Sequence, residues 1–277
     1  MVGLSEVTSA IEREHISSLL VHGKRIDDRG LFEFRNIEVE VSPIEKAEGS
    51  AQVVLGGTKV VAGVKVDVGP PFSDTPNKGV LTCNAELTPI ASPFFESGPP
   101  DEQTVELARV VDRGIRESKA VDLEKLVLIP GEKVRVCFVD VYVLDYDGNL
   151  FDASEIAASV ALMAAKVPEV EVNEDTGEIT VLDKKQLLPI SNIPVSATFA
   201  KIDGVLVLDP CLKEERVQDA RITMTSTQEG NICAFQKGGI GTITLEDVDT
   251  VIEVVKEKAE PVRDLIRELT KEVRGEI

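Results

Sequence analysis

The sequence of 277 residues has no tryptophan and only two histidines, and aromatic residues make up just 4% of it. A core for a chain of this length must therefore be built mainly from valine, isoleucine, leucine and alanine. His15 and His22 lie in an amphipathic segment at the start of the chain, where we expect both side chains on the surface. A Ser-His-Asp triad or a two-histidine metal site would need these residues, so the sequence argues against both.

Cysteine pairs and long apolar runs are also missing. The four cysteines have no CxxC or other metal-ligand spacing, and no secretory signal precedes them. We therefore expect reduced thiols in a cytoplasmic protein without a metal or cofactor. No apolar run reaches the roughly 18–20 residues of a membrane span. The net charge of −19 argues against non-specific binding to nucleic acid, so contact with a polyanion would need a local basic patch and a more basic partner.

Alternating apolar residues and turn signals predict many strands and a few helices. The expected strands are 37–41, 51–55, 58–66, 80–87, 133–144, 192–200, 204–208, 220–225 and 231–236. The expected helices are 102–118, capped by Asp101; 152–165, capped by Asp152; and a last helix after Thr244, which Pro261 should bend or split. A polar turn is expected at 173–177. Strands with helices covering them indicate an α+β or α/β fold, with a boundary within 166–192.

The helix predicted at 102–118 carries a stripe of arginines. Its apolar residues recur at three- and four-residue steps, at Val105, Ala108, Val111 and Ile115. Arg109, Arg113 and Arg116 fall together on another, narrow face. Spacing alone favours a solvated, ion-paired face, since Glu102 and Glu106 lie on the same stripe and Glu106 is three residues before Arg109. The alternative is an anion or nucleic-acid surface.

Two further groups have both a structural and a chemical interpretation. An acidic group that could hold Mg²⁺ or move protons consists of Asp209, Glu214, Glu215 and Asp219. Because Lys213 and Arg216 alternate with these carboxylates, we expect an ion-paired surface turn. Phe94 and Phe95 could stack on bases, but adjacent aromatic residues beside a turn more often pack into a core.

Five motifs are spread over nearly the whole chain. They are Arg25-x-Asp27-x-Arg29, Asp74-Thr-Pro-Asn77, Phe95-Glu-x-Gly-Pro-Pro-Asp-Glu102, Glu106-Leu-Ala-Arg-Val-Val-Asp-Arg113 and Asp140-Val-Tyr-Val-Leu-Asp-Tyr-Asp-Gly-Asn149. Together they resemble the RNase PH-like subunits of the archaeal exosome, in particular the non-catalytic subunit that pairs with a catalytic RNase PH-like subunit. One departure is Asp28, where that family usually has glycine.

The resemblance implies an α+β fold of the RNase PH type, with a βαβ core like domain 2 of ribosomal protein S5, a second, smaller α/β layer, and helices packed on mixed sheets. It also implies a lead-in segment 1–22, a first RNase PH-like domain 23–190 and a second one 191–277. The implied assembly is a hexameric ring, a trimer of heterodimers with RNA-binding cap subunits on one face, which degrades single-stranded RNA from its 3′ end by phosphorolysis.

The motifs also imply that this subunit is catalytically silent. Active relatives carry a Gly-Thr-Arg-like phosphate loop, whereas the matching stretch here, 148–153, has no arginine and contains Asp152, which would repel phosphate. Active relatives also have two aspartates six residues apart for metal and proton chemistry. Here Asp209 occupies the first place and Glu215 the second, so we expect both to be vestigial.

The resemblance further implies that Arg109, Arg113 and Arg116 contact RNA near the partner's active site. This favours the nucleic-acid interpretation of the arginine stripe over the ion-paired one. Two alternatives stay open on the sequence: an active phosphorolytic 3′→5′ exoribonuclease, and a pure scaffold without RNA contact.

Overall fold

The computed structural model describes residues 10–173 and 178–275, so most of the turn predicted at 173–177 and the first part of the predicted lead-in 1–22 lie outside the described residues. The described helices are α1 Ala10–Val21, α2 Glu102–Glu117, α3 Leu150–Ala164, α4 Leu212–Val217 and α5 Leu245–Arg274, with a 3₁₀ turn at Leu123–Leu126. The described strands are β1 Ile37–Val41, β2 Gly49–Leu55, β3 Thr58–Gly69, β4 Val80–Leu87, β5 Val127–Ile129, β6 Lys133–Asp145, β7 Lys166–Val172, β8 Ile179–Leu187, β9 Val195–Ile202, β10 Val205–Leu208, β11 Ala220–Ser226 and β12 Ile232–Gly239.

The larger sheet has the strand order β1-β2-β3-β6-β4, with the short β5 also paired to β6. All pairs are antiparallel except β4 with β6. The hairpin predicted from Gly56-Gly57 is confirmed, because Leu55 pairs with Thr58 across the turn. Gly56 has a φ of 58°, in the left-handed region that glycine adopts at little cost.

The second sheet is antiparallel throughout, in the order β10-β9-β11-β12, and β7 and β8 form a separate two-stranded hairpin. α5 packs on β9 and β11. α1 covers the other side of this region, where Ile16 and Leu20 pack with Ala200 and Ile202. His15 and His22 are exposed, as predicted. No helix in the described ranges is long and apolar enough to cross a membrane.

α3 lies between the two sheets, in contact with β2 and β3 on one side and β9 on the other. Nearly all of its residues are buried, which fits a mostly apolar composition, although Asp152 and Glu155 are buried with the rest. The predicted start at Asp152 is wrong. The helix begins at Leu150 and is capped by Asn149, which adopts a φ of 54° and accepts a hydrogen bond from the Asp152 N–H. Asparagine tolerates this left-handed conformation, and the Asp152 carboxylate turns into the protein instead.

α2 packs on β4 and α3 and also reaches β12, so it bridges the two sheets. Its cap, Asp101, is confirmed: the carboxylate accepts the Thr104 N–H at 2.8 Å. The predicted apolar face is partly wrong, because Val105 is 44% exposed. The buried face is Thr104, Leu107, Val110, Val111, Gly114 and Ile115. Gly114 lies against the Glu155 carboxyl group, where an added Cβ would be 2.5 Å from both oxygens.

α5 runs without a break past Pro261, so the predicted split is wrong. Its start is confirmed, since Thr244 and Asp247 form a capping box. Buried side chains lie on both sides of the proline, with Val255 and Ala259 before it and Val262 and Ile266 after it. This packing holds the helix together across the hydrogen bond that proline cannot donate.

Candidate functional site

The Asp209 carboxylate, the first member of the predicted vestigial pair, is completely buried at the end of β10. Three groups hold it. Arg35 donates from its backbone N, Nε and Nη2 at 2.8, 2.9 and 2.8 Å, Arg29 donates from Nη1 at 3.1 Å, and Asn149 donates from Nδ2 at 2.7 Å. Five donors meet the roughly four lone-pair sites of a carboxylate, so none is left for a metal ion or a substrate.

Glu214 is buried as well and forms a two-pronged ion pair with Arg25. Nε and Nη2 of Arg25 lie 2.9 and 2.5 Å from the two carboxylate oxygens. The same guanidinium donates to the backbone carbonyls of Leu208 and Asp209 at 2.6 and 2.9 Å. The predicted surface turn is therefore wrong, because arginines from the start of the chain, rather than the neighbouring Lys213, neutralise these acids in the interior.

Glu215, the second member of the predicted vestigial pair, also has both carboxylate oxygens hydrogen-bonded. One oxygen accepts the Tyr146 O–H and the other accepts the backbone N–H of Asn149, both at 2.7 Å. Burial raises the pKa of Glu215, and the hydrogen bond from Tyr146 partly offsets this. Asn149 thus contacts both carboxylates, through its side chain to Asp209 and through its backbone to Glu215.

The stretch 148–153, predicted to match the phosphate loop of active relatives, forms hydrogen bonds to other parts of the protein at Gly148 and Asp152. The Gly148 carbonyl accepts hydrogen bonds from Thr58 Oγ1 at 2.6 Å and from Arg35 Nη2 at 3.1 Å. Asp152, in the first turn of α3, is fully buried and accepts from Asn149 Nδ2 and from the backbone and hydroxyl of Thr198, at 2.8 to 2.9 Å. Burial raises the pKa of Asp152 to about 7.

The three predicted arginines of α2 differ in their surroundings. Arg109 is exposed and makes no hydrogen bond or ion pair with any described residue. Arg113 donates to the Phe235 carbonyl at 3.2 Å and to Gln236 Oε1 at 3.1 Å, both of them uncharged acceptors. Arg116 is neutralised, since it pairs with Asp112 at 2.7 Å and donates to the Leu81 carbonyl at 2.8 Å.

The ion pair suggested between Glu106 and the arginine stripe is wrong. Glu106 Oε1 binds Arg221 of β11 at 2.6 Å and Gln236 of β12 at 3.0 Å. A groove of about 560 Å³ runs beside Arg109 and Arg113, and Val105, Glu106 and Gln236 also line it. Asp101 and Glu102 line the same groove, but among the described residues neither forms an ion pair with Arg109 or Arg113.

Arg35 and Arg221 are central to these contacts, yet sequence analysis singled out neither. Their partners are far away along the chain: Asp209 lies 174 positions from Arg35, and Glu106 lies 115 positions from Arg221. A lone arginine just before a strand, like Arg35, or within one, like Arg221, carries no local signal of such a partner. Arg25 and Arg29 were found only through the motif that carries the family resemblance.

Comparisons with known proteins agree with this architecture. Residues 33–168 match the model of the 3′ exoribonuclease family, domain 1, and residues 192–258 match domain 2 of the same family. The exosome complex component Rrp42 of Pyrococcus horikoshii is 55% identical over 96% of this chain and 97% of its own. Rrp42 of Methanothermobacter thermautotrophicus is 49% identical over 93% and 95%. The exact limits of the predicted segments 1–22, 23–190 and 191–277 stay a prediction.

Solved structures give the same result. A chain of the Archaeoglobus fulgidus exosome with RNA bound to the active site is 48% identical, with a TM-score of 0.85 over 92% of this chain and 97% of that one. Rice Rrp46, at 19% identity, shares the fold with a TM-score of 0.67. The α+β, RNase PH-like fold expected from the sequence is confirmed. The chain belongs to the RNase PH family of 3′ exoribonuclease domains, among the relatives of the archaeal exosome components Rrp42.

Proposed function

We propose that this chain is the non-catalytic subunit of a phosphorolytic 3′→5′ RNA exosome, where it builds a hexameric ring with a catalytic RNase PH-like subunit and helps to hold RNA. The relatives at about 55% identity over nearly the full length are named exosome complex components, and a related solved exosome has RNA in its active site. We further propose that RNA-binding cap subunits bind this ring and that the complex is located in the cytoplasm. The four thiols are unpaired, which suits a reducing compartment.

The absence of catalysis rests on one observation: the Asp209 carboxylate is buried and held by Arg29, Arg35 and Asn149. A group that transfers protons or holds Mg²⁺ must reach the substrate. Freeing Asp209 would require breaking two buried ion pairs, which costs several kcal/mol. The stretch 148–153 also supplies no guanidinium for phosphate. We therefore assign Asp209 and Glu215 a structural role.

The RNA contact is assigned to the arginine stripe of α2. In a chain with a net charge of −19, Arg109 and Arg113 form no ion pair with any described residue, although Asp101, Glu102 and Glu106 line the same groove. Such charges bind the phosphates of single-stranded RNA without sequence preference. Arg116 is already paired with Asp112, so we expect it to position the helix and to contribute less to RNA affinity.

The test is RNA binding by the assembled ring after Arg109→Ala and Arg113→Ala. Neither change removes an internal ion pair, and alanine favours a helix, so the ring should assemble normally. Each lost phosphate contact reduces the magnitude of the slope of log affinity against log salt by about 0.7. For the double variant this slope should therefore be smaller in magnitude by about 1.4. Arg267→Ala on α5, another partly exposed arginine, is the matched control. An intact ring with unchanged affinity and salt dependence would refute the RNA contact.

A further inference from the structure

Glu155 of α3 is a carboxyl group buried without a partner. It is 0% exposed, and neither of its side-chain oxygens makes a hydrogen bond with any described residue. The Ser196 hydroxyl of β9 lies beside it but is bonded to Thr225 at 2.7 Å. Buried polar atoms are almost always hydrogen-bonded, so an acid in this state needs an explanation. Neither the proposed catalytic silence nor the arginine stripe uses Glu155.

The carboxyl group lies where α3 meets α2. Gly114 of α2 faces it so closely that a Cβ added there would lie 2.5 Å from both oxygens. Ordinary contact between such atoms needs about 3.5 Å, so glycine is what lets the two helices approach at this point. The carboxyl group is the end of a side chain, but because it is fully buried it cannot swing into solvent to make room.

No positive charge compensates Glu155 within the described part of the chain. The titratable groups that face it from the surrounding elements are Asp152 on α3, Asp112 on α2, Cys83 on β4 and Cys233 on β12. Two arginines of this region already have carboxylate partners, since Arg116 pairs with Asp112 and Arg263 with Glu260. Burial, together with the neighbouring acids, raises the pKa of Glu155 well above its usual range. The site therefore suits the neutral, protonated form of this side chain.

The first half of α2 is anchored by other contacts. Glu106 binds side chains of β11 and β12 at 2.6 and 3.0 Å. Before the helix, Phe95 is buried and stacks on Tyr146, with the ring centroids 5.2 Å apart. The predicted core packing is thus confirmed for Phe95 and wrong for Phe94, which is 47% exposed. The contact of Gly114 with the buried carboxyl group lies in the second half of the helix, beyond these anchors.

We propose that Glu155 is a pH-sensitive switch that controls the packing of the second half of α2. In its protonated form the carboxyl group fits against Gly114 and α2 packs on α3. When the carboxyl group releases its proton to water, the remaining charge can be hydrated only if α2 moves away, so this half of the helix opens. The inference concerns the packing of the helix and does not depend on the proposed RNA contact.

The test is amide hydrogen exchange of the full chain and of Glu155→Gln, compared over a range of about pH 5 to 8. Glutamine has nearly the same size and no proton to lose. In the original chain, opening lets Glu155 ionise with an ordinary pKa of roughly 4.3, so opening becomes easier as the pH rises above this value. The ratio of exchange rates in α2, original chain over Glu155→Gln, should therefore rise by about tenfold per pH unit until Glu155 also ionises in the closed form. Taking the ratio at each pH removes the intrinsic effect of pH on exchange.

Two further variants check the charge and the contact. Glu117→Gln removes an exposed carboxylate from the same helix and should exchange like the original chain at every pH. Gly114→Ala should speed exchange in α2 even at the acidic end of the range, because its Cβ does not fit the closed packing.

The amides of Val111 and Ile115 report on α2, and those of Val255 and Ile266 in α5 are the internal control. We expect the ratio to rise with pH in α2 and to stay constant in α5. A ratio that does not change with pH at Val111 and Ile115 would overturn the proposal. An equal rise in α5 would overturn it as well, because Glu155 would then affect only the unfolding of the whole chain. Either result leaves the arginine stripe untouched.

Discussion

Replacing Arg35 by methionine is the change that best probes why Asp209 is unavailable. The substitution keeps an apolar stem and removes the guanidinium. Asp209 is fully buried, the Arg35 side chain is 7% exposed, and two of the bonds between them join a guanidinium to a carboxylate at 2.8 and 2.9 Å. Arg35→Met leaves the carboxylate with Arg29, Asn149 and the backbone N–H of residue 35 but without its principal counter-charge.

Breaking a buried ion pair by removing one partner typically costs about 3–5 kcal/mol. For a chain of this size 1 kcal/mol corresponds to about 2–4 °C, so the melting temperature should fall by roughly 6–20 °C. Arg267→Met is the control, because Arg267 pairs with Glu260 and Asp264 on the surface at 2.7 and 2.8 Å. Exposed pairs contribute about 0–1 kcal/mol, so this change should move the melting temperature by only a few degrees.

Calorimetry and urea unfolding of both variants supply the measurement. A second substitution makes the reasoning sharper: Asp209→Asn combined with Arg35→Met removes the unpaired charge, so the double variant should be more stable than Arg35→Met alone. Asparagine also tolerates the φ of 51° found at position 209. If Arg35→Met costs no more than Arg267→Met, the carboxylate is not held as we describe.

Two further predictions concern the acidic residues around this centre. Glu215→Asp should not produce a phosphorolytic enzyme, because the shorter side chain loses its bonds to Tyr146 and Asn149 and nothing then holds phosphate; release of nucleoside diphosphate by this single variant would contradict us. With the pKa of Asp152 raised to about 7, the folded chain keeps a proton that the unfolded chain loses near pH 4, so the contribution of Asp152 to the free energy of unfolding should fall as pH rises from about 4 to 7. The difference in free energy of unfolding between the original chain and Asp152→Asn, measured in urea, should therefore shift against the original chain as pH rises over this range, and a difference that does not depend on pH would contradict the assignment.

The sequence predicts the elements well where the signals are local. Asp101 as a helix cap, the Gly56-Gly57 hairpin and the capping box of Thr244 and Asp247 each depend on residues close together in the chain, and each is confirmed. The start of α3 was misplaced because Asp152 has the residue type of a cap. A cap needs a side chain that turns back to its own helix, and Asp152 instead binds Thr198 on β9.

The orientation of α2 could not be read from its apolar spacing. The steps through Val105 and the steps through Leu107 both fit a helix, and only packing decides between them. Gly114 must face Glu155 because no side chain would fit there, and this contact with α3 turns Val105 outward beside Arg109. The predicted arginine stripe was independent of this error, since its spacing is the same for either buried face.

The sequence predicts which acidic residues belong to the candidate site but not their partners, because these contacts too depend on packing between distant parts of the chain. Lys213, close to Glu214 in sequence, suggested a surface turn, whereas the actual partner, Arg25, lies 189 positions away. A charge next to an acidic residue in sequence says little about the charge next to it in space. Glu214 is buried only because the first segment of the chain, which carries Arg25, packs against β10 and α4, and sequence patterns do not reveal this packing.

The most direct test of the central claim, that this chain is a non-catalytic exosome subunit, is phosphorolysis by the purified chain alone. The chain would be supplied with single-stranded RNA, inorganic phosphate and Mg²⁺, and release of nucleoside diphosphate would be followed, with the ring reconstituted from this chain and its catalytic partner as the positive control. We predict release by the ring and none by the chain alone, because Asp209 is enclosed by Arg29 and Arg35. Release by the chain alone at a rate comparable to the ring would contradict the account.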